Sequence, residues 1–134
     1  MVRKAVRDLG LESSVRFDSE RDDIRGLMAF ADAGVISSIA SEVICRVAVE
    51  FFSVGTPVTA LPTGCLPEIV IEGHNGTLAS RSSADSLCEA LLGLFKDSEV
   101  LKTMGIKARK DAETRFNPRL LLKKTLAVYQ QVLE

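Results

Sequence analysis

Two carboxylates, Glu42 and Glu50, bracket the stretch SEVICRVAVE, and a Gly-x-Pro-Val run, Gly55 to Val58, follows. A helix that only filled a core would need no carboxylate at its mouth and no second one eight residues on. Carboxylates accept hydrogen bonds from hydroxyl groups, and the unpaired N–H groups at a helix N-terminus, with its positive dipole end, suit a phosphate. With Val43 to Ser53 helical and Ser41 capping, Val43, Ile44 and Cys45 supply those N–H groups. Eight helical steps span about 12 Å along the axis. That is room for a diphosphate between the two carboxylates, with Glu42 holding a hexose and Glu50 a ribose. A plainer alternative stays open, in which Glu42 only caps the helix and Glu50 is a surface charge paired with Arg46.

The elements that must position these residues are legible in outline. A helix starts at Val2 and stops near Gly10, and Ser14 to Phe17 reads as a short strand. A helix with Asp22 or Asp23 near its start follows, with Ile24, Leu27, Met28 and Ala31 on one face. Gly34 to Ser38 and Pro57 to Leu61 read as buried strands on either side of the helix Val43 to Ser53. Thr63 to Val70 is a loop leading into a short helical turn, Glu72 to Gly76 is a turn, and Thr77 to Ala79 is a brief strand. Leu87, Ala90, Leu91, Leu94 and Phe95 share a helical face, and two further helices close the chain, the last with Pro118 in its first turn. Strands alternating with helices over the first 80 or so residues imply a parallel sheet with crossover helices. The fold class expected is α/β: a partial Rossmann-like domain whose small parallel sheet is flanked by helices, an α/β core over 1–80 and a helical C-terminal tail over 81–134. In such a sheet ligands bind beyond the carboxyl ends of the strands, where the helix Val43 to Ser53 would start.

Composition narrows the functional classes. The 134 residues suit one domain, with 46% hydrophobic and 26% charged residues and a net charge of −1. That balance creates no field for nucleic acid or an anionic membrane. No stretch is apolar enough for a signal or a membrane span, so a cytoplasmic or membrane-peripheral protein is expected. Cys45, Cys65 and Cys88 are odd in number and contain no Cys-x-x-Cys, which favours reduced thiols over a disulfide framework or a zinc site; no metal is expected. The single histidine, His74, falls in the turn EGHNG and reads as a loop residue; Glu68 reads as a cap, and Lys123 and Lys124 as a solvated face.

Beside Glu-x7-Glu stand VRF…RDDIRGLMAFADAGVISS, the run VGTPVTALPTGCLPEIVIEGHNGTLA and MGIKARKDAETRF. In this order and at these spacings the chain resembles the C-terminal, nucleotide-sugar-binding domain of group 1 glycosyltransferases (family 4, GT-B fold), over nearly its whole length. The resemblance implies that Glu42 contacts the donor sugar and Glu50 the ribose, and that the backbone of Val43, Ile44 and Cys45 meets the diphosphate. It places Gly64 and Cys65 in the loop facing the sugar, and Phe17 to Ser19 near the base. It implies retaining transfer from a nucleotide-diphosphate-sugar, UDP- or GDP-linked, to a glycan or lipid acceptor, with no metal and no cofactor besides the donor.

The departures are specific. Val43, Ile44 and Cys45 stand where the family often has Gly-Phe-Gly, Cys65 where the loop has a second glycine, Ser19 where a glycine follows the VRF strand, and Phe51 and Phe52 where small residues usually pack. The family's first strand, its cationic loop, and the helix and strand that follow are not recognisable, nor is the acceptor-binding N-terminal domain. The chain alone is therefore expected to transfer no sugar, and its open sheet edge or last helix to pair with a second copy. The alternative is a truncated, non-catalytic assembly module without nucleotide affinity.

Overall fold

The computed structural model describes residues 2–40 and 42–133. The elements run α1 (Val2–Asp8), α2 (Ile24–Phe30), β1 (Gly34–Ile36), α3 (Arg46–Ser53), β2 (Val58–Ala60), α4 (Leu66–Ile69), β3 (Gly76–Leu78), α5 (Ala84–Leu94), α6 (Ser98–Thr114) and α7 (Pro118–Leu133). The strands form a parallel sheet in the order β1-β2-β3, with Gly34, Val58 and Gly76 in register at one end and Ile36, Ala60 and Leu78 at the other. This is the expected α/β architecture, with helices flanking a small sheet and a helical C-terminal segment.

Alternation along the strands sorts their side chains. Ile36, Val58 and Ala60 join Cys45, Ala48 and Phe52 of the α3 segment, Leu66 and Val70 of the α4 segment, and Ala108 of α6 in one core cluster. Thr59 points the other way and shares a 3.0 Å hydroxyl hydrogen bond with Thr77, which satisfies two buried polar groups together. α5 packs on β2 and β3, and α6 lies along α3. The close approach of α6 rests on Gly105: a Cβ there would strike the Gly55 carbonyl oxygen. The two phenylalanines at an unusual place find room. Gly34 leaves the space the Phe51 ring occupies, since a Cβ would lie 2.6 Å from its Cδ2, and Phe52, fully buried, meets Phe116 at 6.4 Å between ring centroids.

The expected strand from Ser14 to Phe17 does not form. The Ser14 and Val15 N–H groups both bond the Leu11 carbonyl in a turn, and Val15 and Phe17 are each 37% exposed. A strand needs a ladder partner, and the segment pairs with none of the three described. β1 and β2 are each two residues shorter than expected, and β3 keeps its expected length one residue earlier in the chain. The apolar face of α2 is only partly used: Met28 is buried, whereas Ile24 and Leu27 stay more than 40% exposed. On α5 Leu94 is buried and Phe95 half exposed. α7 buries no residue.

Candidate functional site

At the carboxyl ends of β1 and β2, two loops meet. The Cys65 N–H donates to the Glu42 carbonyl at 2.8 Å, which brings the loop after β2 against the loop after β1. Gly64 makes this meeting possible. Its φ is +57°, and a Cβ would fall inside the Glu42 carbonyl oxygen, so only glycine fits. Ser38, just beyond β1, donates its hydroxyl to Glu42 Oε2 at 2.6 Å and fixes the half-buried carboxylate. Glu42, Cys45, Gly64 and Cys65 are thus gathered at one place. Ser41, the expected cap, lies outside the described residues.

The helix itself begins three residues later than expected, at Arg46. Cys45 adopts φ −84°, ψ 77° while the Arg46 N–H bonds the Ile44 carbonyl at 3.0 Å, an inverse γ-turn. Two consecutive β-branched residues, Val43 and Ile44, disfavour a first helical turn, and both project into solvent at 78% and 74% exposure. The N–H groups at the true helix mouth therefore belong to Val47 and Ala48, with Arg46 already bonded. Only the steps from Arg46 to Glu50 are helical, about 6 Å of axial rise. Glu50 is exposed and takes part in no ion pair among the described residues, so the pairing with Arg46 that the plainer alternative supposed is not formed.

A cavity of about 680 Å³ opens on one flank, and Val43, Ile44, Cys45, Glu50 and Cys65 line it together with Arg46, Arg115, Phe116, Asn117 and Lys124. Three cations, Arg46, Arg115 and Lys124, thereby face the side of the site that holds Glu50 and Glu68. No local pattern pointed to this: Arg115 caps the end of α6 and Lys124 lies within α7, both far along the chain from Glu42, and Lys124 read as plain surface. Ser38 could have been suspected, since it stands two residues after β1 and four before Glu42. Phe17 is not brought here. It lines a separate cavity with Arg3, Val6 and Val15, and the Arg3 guanidinium sits 4.4 Å over its ring. Ser19 is exposed, and no described hydrogen bond ties its side chain to the site.

Electrostatically, burial pushes the Cys45 thiol above the ordinary thiol range; the Glu42 carboxylate and the Cys65 thiol nearby push the same way, against the Ala48 N–H. The thiols of Cys45, Cys65 and Cys88 are all free. No group of three His, Cys, Asp or Glu side chains among the described residues is placed to hold a metal ion.

Behind the site a buried polar knot holds the turn after α4. Asn75, fully buried, accepts from the Ile71 N–H at 2.8 Å and donates to the Ile69 carbonyl and to Asp111 Oδ2, the latter at 2.7 Å. Asp111 also accepts from Arg115 at 2.9 Å, and His74 Nε2 stands 3.5 Å away. His74 lies in the turn before β3, as expected, with its ring partly exposed and facing Asp111 of α6.

A family model described as glycosyl transferases group 1 matches residues 1–111. The N-acetyl-alpha-D-glucosaminyl L-malate synthase of Bacillus anthracis is 25% identical over 132 residues, covering 98% of this chain and 34% of its own. HepE of Anabaena, solved in complex with UDP, superposes with a TM-score of 0.90 at 29% identity, over 97% of this chain and 36% of its own; its structure with UDP-glucose superposes at 0.87. The sucrose-phosphate synthase of Thermosynechococcus elongatus gives 0.88 at 25% identity, over 98% of this chain and 33% of its own. The chain spans about a third of the length of these relatives.

Proposed function

The chain belongs to the group 1 glycosyltransferases, and from that premise we propose that it is the donor-binding portion of such an enzyme, holding a nucleotide-diphosphate-sugar between Glu42 and Glu50. The observation that carries the reading is the seat formed by Glu42, Cys45, Gly64 and Cys65 at the carboxyl edge of the sheet, closed by the Cys65–Glu42 backbone hydrogen bond. It is the place where an open α/β sheet receives ligands. HepE, which covers nearly all of this chain in superposition, binds UDP and UDP-glucose.

In this reading the carboxylate of Glu42, oriented by Ser38, accepts from a hydroxyl of the donor sugar, and Glu50 accepts from the ribose. The diphosphate lies at the mouth of α3, near the Val47 and Ala48 N–H groups and the backbone of Val43 to Cys45, with the cation Arg46 in the first turn of that helix. Gly64 and Cys65 face the sugar; Phe17 and Ser19, which the resemblance set near the base, stand apart from this seat and have no part in the reading. The reaction served is retaining sugar transfer to a glycan or lipid acceptor in the cytoplasm, UDP or GDP being the carrier and no metal taking part. The residues from 1 to 80 form the α/β core of this portion and 81–134 its helical tail. The acceptor is bound elsewhere, by an N-terminal domain that can touch a membrane surface. The chain on its own transfers no sugar, and turnover by the purified 134-residue chain would overturn that part.

Melting temperature followed against UDP, GDP and ADP tests the binding claim, because a ligand held by the native state raises it by mass action. A rise with UDP or GDP that disappears in Glu50→Ala supports the donor site. No rise with any nucleotide would instead favour a non-catalytic assembly module.

A further inference from the structure

We propose that Cys45 and Cys65 join in a reversible intrachain disulfide that closes the donor cradle, so that the site is open only in its reduced form. The closing effect rests on the donor-site reading above; the crosslink itself does not. The two residues come from different loops, twenty positions apart in sequence, and the fold brings them together. The Cys65 N–H is bonded to the carbonyl of Glu42, three residues before Cys45, and Gly64 is the close contact that allows it. Cys65 packs against the core cluster to which Cys45 belongs, and both line the same cavity. Their exposure differs in a useful way. Cys45 is buried at 3%, while Cys65 is partly open to the cavity. Cys88, on the exposed side of α5, shares none of these contacts.

The chemistry follows from that asymmetry. A low-molecular-weight disulfide such as oxidised glutathione is the oxidant. The Cys65 thiolate attacks one of its sulfurs, releasing one glutathione thiol and leaving a mixed disulfide on Cys65. The Cys45 thiolate then attacks the Cys65 sulfur and expels the second glutathione as a thiolate, which takes up a proton. Two protein thiols are oxidised and one external disulfide is reduced to two thiols. The bond ties the inverse γ-turn at Cys45 to the loop at Cys65, across the seat in which the diphosphate and sugar would lie.

The test uses the full chain carrying Cys88→Ser, so that only the two thiols of interest remain. After treatment with oxidised glutathione and removal of excess, both thiols should disappear from titration. The intact mass should be lighter by two hydrogens, with a Cys45–Cys65 crosslinked peptide, and dithiothreitol should restore both thiols. UDP affinity should fall by at least about tenfold on oxidation and recover on reduction. Adding Cys65→Ser, or Cys65→Ala if the serine variant folds poorly, should abolish the crosslink. Thiols that persist, or a glutathione adduct that stays on Cys65 without passing to Cys45, would overturn the proposal. So would a crosslinked chain that binds UDP as tightly as the reduced one. A reduced chain that binds no nucleotide would instead overturn the donor-site reading while the mass measurement still decides the crosslink.

Discussion

Single residues decide whether the site exists. Gly64 combines a left-handed φ with contact against the Glu42 carbonyl, so Gly64→Ala should cost at least about 1–3 kcal/mol in urea unfolding and disturb the cradle. Gly26, inside α2 with open space around it, is the matched control: Gly26→Ala should be neutral or stabilising by about 0.5–1 kcal/mol. Asn75 makes three hydrogen bonds with no solvent access, and Asn75→Ala should cost roughly 2–4 kcal/mol, since it leaves the Ile71 N–H without its partner and the Asp111 carboxylate one donor short. The raised Cys45 thiol carries its own signature. The unfolded chain loses that proton first as pH rises, so stability should fall from the ordinary thiol range upward toward the higher native value, and Cys45→Ala should flatten that part of the curve. Glu42 and the loop from Thr63 to Val70 stood out at this scale because acidic spacing and glycine–proline turn chemistry are local, whereas only the resemblance pointed to Gly64 and Cys65. Arg115 did not stand out, because its place beside α4, through a bond to the Glu68 carbonyl, depends on how α6 lies across the fold.

At the scale of elements, short apolar runs located β1 and β2 and the turn at Glu72 to Gly76 located β3 to within a residue, since each is brief and buried between helices. That reading failed at Ser14 to Phe17, where the residues have strand character but no strand stands beside them. It also misplaced the start of α3, because apolar content at Val43 and Ile44 was read as helix when their β-branched side chains and the turn at Cys45 keep them out of it. The helices after β3 differ sharply in anchorage. α6 buries Met104, Ala108 and Asp111, and its partner α3 is held by Arg109 donating to the Ser53 carbonyl at 2.8 Å, whereas α7 buries nothing. Native-state hydrogen exchange should therefore find the interior amides of α7 opening far faster than those of α6. Equal protection would mean that α7 is covered in solution, for example by a second copy of the chain.

For the molecule as a whole, the parallel sheet ends at β1, whose outer edge has no described partner and whose Val35 is 47% exposed. This open edge and, separately, the exposed apolar side chains of α7 each invite association, and sedimentation should detect a dimer that grows with concentration. No helix among the described residues is long and apolar enough to cross a membrane. The resemblance in sequence order, from Glu-x7-Glu through the Gly-Pro loop to the turn at Asn75, anticipated the family because those motifs are the places where backbones approach closely and only certain residues fit. What it left unseen was the cavity walled by α7, which forms only when distant helices meet. The central claim is that a nucleoside diphosphate sits where the loops after β1 and β2 touch, and amide chemical-shift mapping during a UDP titration tests it most directly. The account predicts shifts at Val43 to Ala48, Gly64 and Cys65 that vanish in Glu50→Ala; shifts confined to Arg3 through Phe17, or none at all, would contradict it.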